Sequence, residues 1–262
     1  MGQHPDTDSL WRKFRRLTRA RIGLGRAGDA LPTRRLLEFQ YAHAQARDAV
    51  FARADFAALE AQLQPRAVLL VRSAAADRAA YLRRPDLGRR LDPASAAILP
   101  PGPYAAVFVL ADGLSAGAVQ THAVPLLQAV TARLDDWAIG PVILAEQARV
   151  ALGDEIGAAM RAEFAVVLIG ERPGLTSPDS LGVYLTHAPR AGLRDSQRNC
   201  ISNIHAEGLD YGAAADKLAW LMTQARLLRL TGVELKEDAP VRHSPALERA
   251  VHQLPGDFDG SS

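Results

Sequence analysis

Cysteine is almost absent: Cys200 is the only one in 262 residues, which excludes an internal disulfide and any metal cage built from several thiolates. A reducing compartment fits that usage. No stretch approaches the roughly 18 consecutive apolar residues of a membrane span, and the N-terminus, polar and then strongly basic, has no apolar signal-peptide core. A soluble cytoplasmic protein with no membrane partner is expected. Net charge is small as well: 31 Lys and Arg stand against 29 Asp and Glu, leaving +2, so no overall field argues for nucleic acid. The basic residues gather near the start, in "LWRKFRRLTRARIGLGRAG". Such a cluster serves either as a contact for an acidic or phosphate-rich surface or as a solvated helix face.

The familiar catalytic signatures are missing too. No G-x-G-x-x-G follows a strand candidate, and "GLGRAG" at 23–28 falls in the basic segment instead, which disfavours nicotinamide chemistry. There is no Walker A sequence, no G-x-S-x-G elbow and no H-E-x-x-H pair. The 7 histidines are scattered without ligand spacing, so no metal site is expected. His205, after "CISNI", reads as a local hydrogen-bonding group. Cys200 has no histidine and acid pattern around it to define a nucleophile, and its residue chemistry alone suggests a small buried side chain.

What is present divides the chain in three. Residues 1–64 carry a helical pattern: "PTRRLLEFQYAHAQARDAVF" brings Leu36, Leu37, Gln40, Tyr41, Ala44 and Val50 near one face after a Pro-Thr start signal. That stripe must be buried on the main domain or on another subunit. From 65 to 238 the texture changes to β-branched runs, "RAVLLVRS", "YAAVFVLADG", "GPVILAEQ", "EFAVVLIGE" and "LGVYLTHAP", alternating with Ala-rich helical stretches. These are the strands and crossovers of an α/β domain, Rossmann-like and doubly wound, with a mainly parallel sheet. Residues 239–262, proline-rich and ending in a polar tail, are expected to be mobile.

In such sheets ligands bind at the carboxyl ends of the strands, and three strand ends here carry unusual turns. In "VLADGLSAGAV", Asp112 follows the strand and Ser115 is positioned to cap a helix. "VILAEQARV" leads to Val150. In "GERPG", Gly170 and Gly174 permit close approach of backbone to a ligand while Pro173 stiffens the turn. Glu171, beside those glycines, is either a polar turn residue or a ligand contact. The residues alone lead to a domain for a large polar ligand and leave its chemistry open.

"GERPGLTSPDSLGVYLTHAPRAGLRDSQRNCISNIHAEGLDYGAAADKLAWLM" resembles the hallmark region of the small, or light, subunit of ethanolamine ammonia-lyase. "RIGLGRAGDALPTRRLLEFQYAHAQARDAV", "YLRRPDLGRRL" and "VLADGLSAGAV" resemble further parts of that family in the same order, so the resemblance runs from about residue 19 to 236. It implies an adenosylcobalamin-dependent lyase converting ethanolamine to acetaldehyde and ammonia. The radical chemistry would be housed in a β/α-barrel large subunit, and this chain would cover the cobalamin and contribute no catalytic residue of its own. The family's cobalamin contacts fall on Val150, Glu171 and Cys200. The site is extended to Asp112, Ser115, Gly170, Arg172, Pro173, Gly174 and Asn199. The chain lacks the D-x-H-x-x-G sequence with which other cobalamin proteins replace the cofactor's own base. Some family members carry a long N-terminal extension associated with bacterial microcompartments; only about twenty residues precede the matching motif here, and residence in the cytoplasm or in a microcompartment stays open. Two other classes compete with this reading: a stand-alone cobalamin-binding or chaperone module, and a self-sufficient hydrolase or transferase using Glu171 and Cys200.

Overall fold

The computed structural model describes residues 11–16, 18 and 20–236; the tail expected to be mobile lies outside them. The chain divides into two compact units, residues 1–41 with 239–262 and residues 42–238. Helix α1 (Thr33–Phe51) begins at the expected Pro-Thr signal. Its apolar stripe is bare: Leu37 is 58% and Tyr41 66% exposed, Leu36 is exposed as well, and Ala42 is the buried residue of the helix.

The larger unit is α/β around one 6-stranded sheet in the order β1-β3-β2-β4-β5-β6. The strands are β1 (Val68–Arg72), β2 (Ala106–Ala111), β3 (Val142–Glu146), β4 (Phe164–Gly170), β5 (Leu181–His187) and β6 (Asn199–Ile204). β1, β3, β2 and β4 run parallel, pairing for example Leu70 with Leu144 and Phe108 with Val166. The remaining two pairs are antiparallel. The expectation that "LGVYLTHAP" extends a parallel sheet is therefore corrected. Its connection to β4, residues 171–180, is shorter than the roughly dozen residues a parallel crossover needs, so the chain can only turn back on itself.

Side chains alternating on β2 and β4 fill two cores. On one face Ala106, Phe108, Leu110, Phe164, Val166 and Leu168 meet helices α2 (Phe56–Leu63), α6 (Val124–Thr131) and α8 (Tyr211–Leu228). On the other, Val107, Val109, Ala165 and Val167 meet Leu152 and Ile156 of α7 (Leu152–Ala159). Short helices α3 (Arg78–Arg83) and α4 (Pro93–Ala97) lie between β1 and β2, and α5 (Ala116–Ala118) opens the segment leading to α6. Between α5 and α6 the helix widens into a π-helical turn, Val119–Ala123. Pro125, in the first turn of α6, supplies no N–H and crowds the carbonyl one turn back, which accounts for the irregular ladder before it.

β6 carries a bulge. Leu181 pairs with Ile204 but Val183 pairs with Ile201, so the register shifts between them. The extra residue lets Ile201 and Ile204, three apart, both reach the same core as α8.

Candidate functional site

The carboxyl ends of β2, β3 and β4 are bound to one another by a carboxylate and a pair of glycines. Asp112, 2% exposed, accepts hydrogen bonds from the backbone amides of Gln147 at 3.0 Å and Ala148 at 3.1 Å, and faces Arg78 Nη1 at 3.4 Å. Burial pushes its pKa up to about 6, against the opposing pull of Arg78 and the amides. Arg78 is itself anchored by donating to the Val50 carbonyl, and its guanidinium lies over the Tyr81 ring. Gly113, with φ +58, and Gly170 pack backbone to backbone; a Cβ on Gly170 would overlap the Ser115 carbonyl. Ser115 caps α5 as expected, accepting from the Ala118 amide at 3.3 Å, and donates to the Pro178 carbonyl at 2.8 Å.

The second of those bonds ties down the segment 171–180 between β4 and β5. Glu171 closes its base: the Glu171 amide donates to the Ser180 carbonyl at 2.9 Å, and its Oε2 accepts from the Ser180 hydroxyl at 2.5 Å and the Asn203 amide at 3.4 Å. From the π-helical turn His122, 2% exposed, meets the Tyr211 hydroxyl through Nδ1 at 2.7 Å and faces the Asp179 carboxylate through Nε2 at 3.7 Å. His205 has the local hydrogen-bonding role expected of it. Its Nε2 meets Asn203 Oδ1 at 2.9 Å and Ser177 Oγ at 3.5 Å, while Nδ1 accepts from the Glu207 amide.

Beside this segment one face of the sheet is exposed along β6. Val183 and Leu185 of β5 enter the core under α8, whereas Gly182 and Tyr184 point to the other side. Across the ladder Cys200 stands opposite Tyr184, and Cys200 and Ser202 are exposed. The reading of Cys200 as a buried small side chain is thus corrected: on this face β6 is the edge strand, and the thiol looks out. Tyr184 and Cys200 act on each other electrostatically across the ladder. Burial raises both their pKa values, and the nearby Glu171 carboxylate raises them further. Cys200 is therefore a thiol at neutral pH, not an activated nucleophile. Gly182 is buried and lets the Glu171 side chain lie over it, since a Cβ there would stand 2.9 Å from Glu171 Oε1. Val150 packs on the same side of the sheet, ahead of α7, where Gly153 sits directly on Val167 of β4.

Of the residues singled out from the sequence, Glu171 and Cys200 are brought together, with Val150 on the same face. Arg172 and Gly174 are exposed on the adjoining segment and Pro173 is half-buried. Asp112, Ser115 and Gly170 lie beneath, their polar groups or close contacts spent within the chain. Asn199 is held elsewhere: its amide donates to the Gly232 and Leu235 carbonyls, and its Oδ1 accepts from the Gly232 amide. Sequence reasoning missed Tyr184, Gly182 and His122. Tyr184 and Gly182 were readable from alternation along "LGVYL" once β5 was paired with β6; for His122 the signal was Pro125 inside an apolar helical run.

Residues 8–236 match the family model for the ethanolamine ammonia-lyase light chain. The chain is 54% identical over 247 residues to the ethanolamine ammonia-lyase small subunit of Pseudomonas fluorescens (strain Pf0-1), covering 90% of each. It is 55% identical over 252 residues to that of Ralstonia nicotianae, covering 92% of each, and 55% identical over 247 residues to that of Azotobacter vinelandii, covering 90% of this chain and 92% of the relative. No helix among the described residues is long and apolar enough to cross a membrane. With a match of this length, the chain belongs to the ethanolamine ammonia-lyase light-chain family and is the smaller of the two kinds of subunit in that lyase.

Proposed function

We propose that this subunit binds cobalamin on the open face of β5 and β6 and covers it against the large subunit, which carries the ethanolamine site. The observation that carries the reading is the grouping of Glu171, Tyr184 and Cys200 on one sheet face beside the exposed edge of β6. Such a surface fits the group. A corrin is broad and flat, and its rim bears neutral amides that donate to a carboxylate such as Glu171. Val150 would add apolar contact and the Cys200 thiol a small, close-fitting one. Arg172, Pro173 and Gly174 would border the ligand; Asp112, Ser115 and Gly170 would hold the framework beneath it.

Adenosylcobalamin, when bound, supplies the radical that initiates deamination of ethanolamine. This chain's residues bind, orient and exclude water. In this reading 65–238 is the cobalamin-binding domain, with its parallel strands as a Rossmann-like, doubly wound part, and 1–64 docks on the large subunit. The exposed apolar stripe of α1 supports the docking and favours a two-chain enzyme over a stand-alone cobalamin carrier. A cytoplasmic or microcompartment location is compatible with it.

The deciding measurement is ammonia release from ethanolamine by each subunit alone, both together, and both with adenosylcobalamin. Activity is expected only in the last. Turnover by this chain alone would overturn the assignment of the chemistry to its partner.

A further inference from the structure

At the opposite end of the sheet from Glu171 the structure has a second site. β5 runs antiparallel to β4, so His187 pairs with Phe164, the first residue of β4, whereas Glu171 follows the last. Six steps along a strand separate the two ends by about 20 Å. Beyond His187 the chain turns through Ala188, and beyond α8 it turns through Arg229; the two turns and the segment after α8 enclose a cavity of about 400 Å³. That is within the usual range of about 300–1,000 Å³ for small-molecule pockets.

The lining is chemically one-sided. Arg190 and Arg229 both face it, and neither has a carboxylate within ion-pair distance among the described residues. Glu234 is the one acid on the wall. His187 lines the cavity with its ring tilted against Phe164 at 5.1 Å, and burial, with Arg229 nearby, lowers its pKa against the opposing pull of Glu163. It therefore stays neutral at pH 7. Ser196 adds a hydroxyl, and Gln197, whose Oε1 accepts from the Arg194 amide at 2.9 Å, has its Nε2 left to donate. The backbone is also held in an unfavourable state: Ala188 (φ 46) and Arg229 (φ 56) are non-glycine residues in the left-handed region. Such conformations cost about 1–3 kcal/mol each and gather at ligand sites. Arg229 is the left-handed C-cap of α8, its amide donating to the Ala225 carbonyl, and it lines the cavity together with Arg190.

We propose that this cavity binds a small oxyanionic molecule, one with a phosphate or carboxylate group held between Arg190 and Arg229. Guanidinium forks match the paired oxygens of both groups, and Ser196 and Gln197 add neutral polar groups to a wall completed by Leu193, Leu230 and Val233. The proposal is independent of the cobalamin reading, which concerns the other end of the sheet.

The test is calorimetric titration of inorganic phosphate, and separately of citrate, into the assembled two-subunit enzyme and into the full chain alone. Saturable binding of at least one anion is expected in both preparations. Its dissociation constant should rise at least tenfold in Arg190→Gln and in Arg229→Gly. Glycine relieves the left-handed backbone at 229, so loss of binding there is not loss of fold. Arg161→Gly is the matched control, an exposed arginine at φ 53 outside the cavity, and should bind unchanged. Preference for phosphate over citrate assigns a phosphate ester as ligand; the reverse assigns a carboxylate. Absence of saturable binding, or equal weakening in the Arg161 control, overturns the proposal. So does binding to the chain alone that vanishes on assembly, which would make this a surface covered by the partner.

Discussion

β4 and β6 lie in one sheet, two strands apart, yet they meet different environments. Every residue of β4 is buried, because α7 covers one face and α6 and α8 cover the other. β6 is buried only where Ile201 and Ile204 turn toward α8; Cys200 and Ser202 face outward. The fully covered strands carry the stability of the domain, and the half-covered ones present a surface. Substitutions should therefore separate into those that unfold the chain and those that alter only what it binds.

The largest loss should come from the covered part. Phe108→Ala empties a fully buried position of β2 and should cost about 3–5 kcal/mol, read as a lower urea midpoint. A cost under about 1 kcal/mol would break the comparison. Gly170→Ala comes next: its methyl group overlaps the Ser115 carbonyl, an overpacking worth about 1–3 kcal/mol. Cofactor affinity at saturating assembly should fall less than stability does.

Asp112 belongs to the same framework and gives it a pH signature. Its folded pKa, about 6, lies above the ordinary 3.8, so between those values the folded chain holds a proton that the unfolded chain has released. Stability should then decline as pH rises through that window and level off above it. Asp112→Asn should remove that decline; an unchanged urea midpoint profile from pH 4 to 7 in the variant would show that another group is responsible.

On the open face the effects should move to binding. Glu171→Ala removes an acceptor worth about 0.5–3 kcal/mol, so apparent cobalamin affinity of the assembled enzyme should drop roughly two- to a hundredfold. Glu171→Gln, which keeps one acceptor, should lose less. Turnover at saturating cofactor should stay near the parent value in both if the side chain only binds, as proposed. Smallest of all, Cys200→Ser should change stability by no more than about 0.5 kcal/mol, while chemical labelling of the parent thiol should slow when cobalamin is added. Undiminished labelling in the loaded enzyme would remove Cys200 from the contact surface.

The same contrast explains what could be read from the sequence. Strands buried on both faces announce themselves, as "AVFVLA" and "FAVVLIG" do, and five of the six were recognisable as β-branched runs. "NCISNI" was not, because a half-exposed edge strand is mostly polar and its two isoleucines stand three apart. The direction of β5 was not visible in its composition; it was implicit in the shortness of 171–180. Glu171 and Cys200 were identified through resemblance within separate motifs. That they share one surface followed only from the antiparallel return of β5 and β6. The α1 stripe was legible as a helix face, and among the described residues its Leu36, Leu37 and Tyr41 are exposed.

The bulge in β6 also bears on how this edge can vary. With the extra residue, "ISNI" sends both isoleucines inward and Ser202 outward. Deleting Ser202 or Asn203 alone would set the two isoleucines two apart, where simple alternation turns both toward α8 and the bulge disappears. The edge can thus shed its extra residue without losing its apolar face, and variation along it would be expected to include a one-residue deletion here as well as substitution at 202.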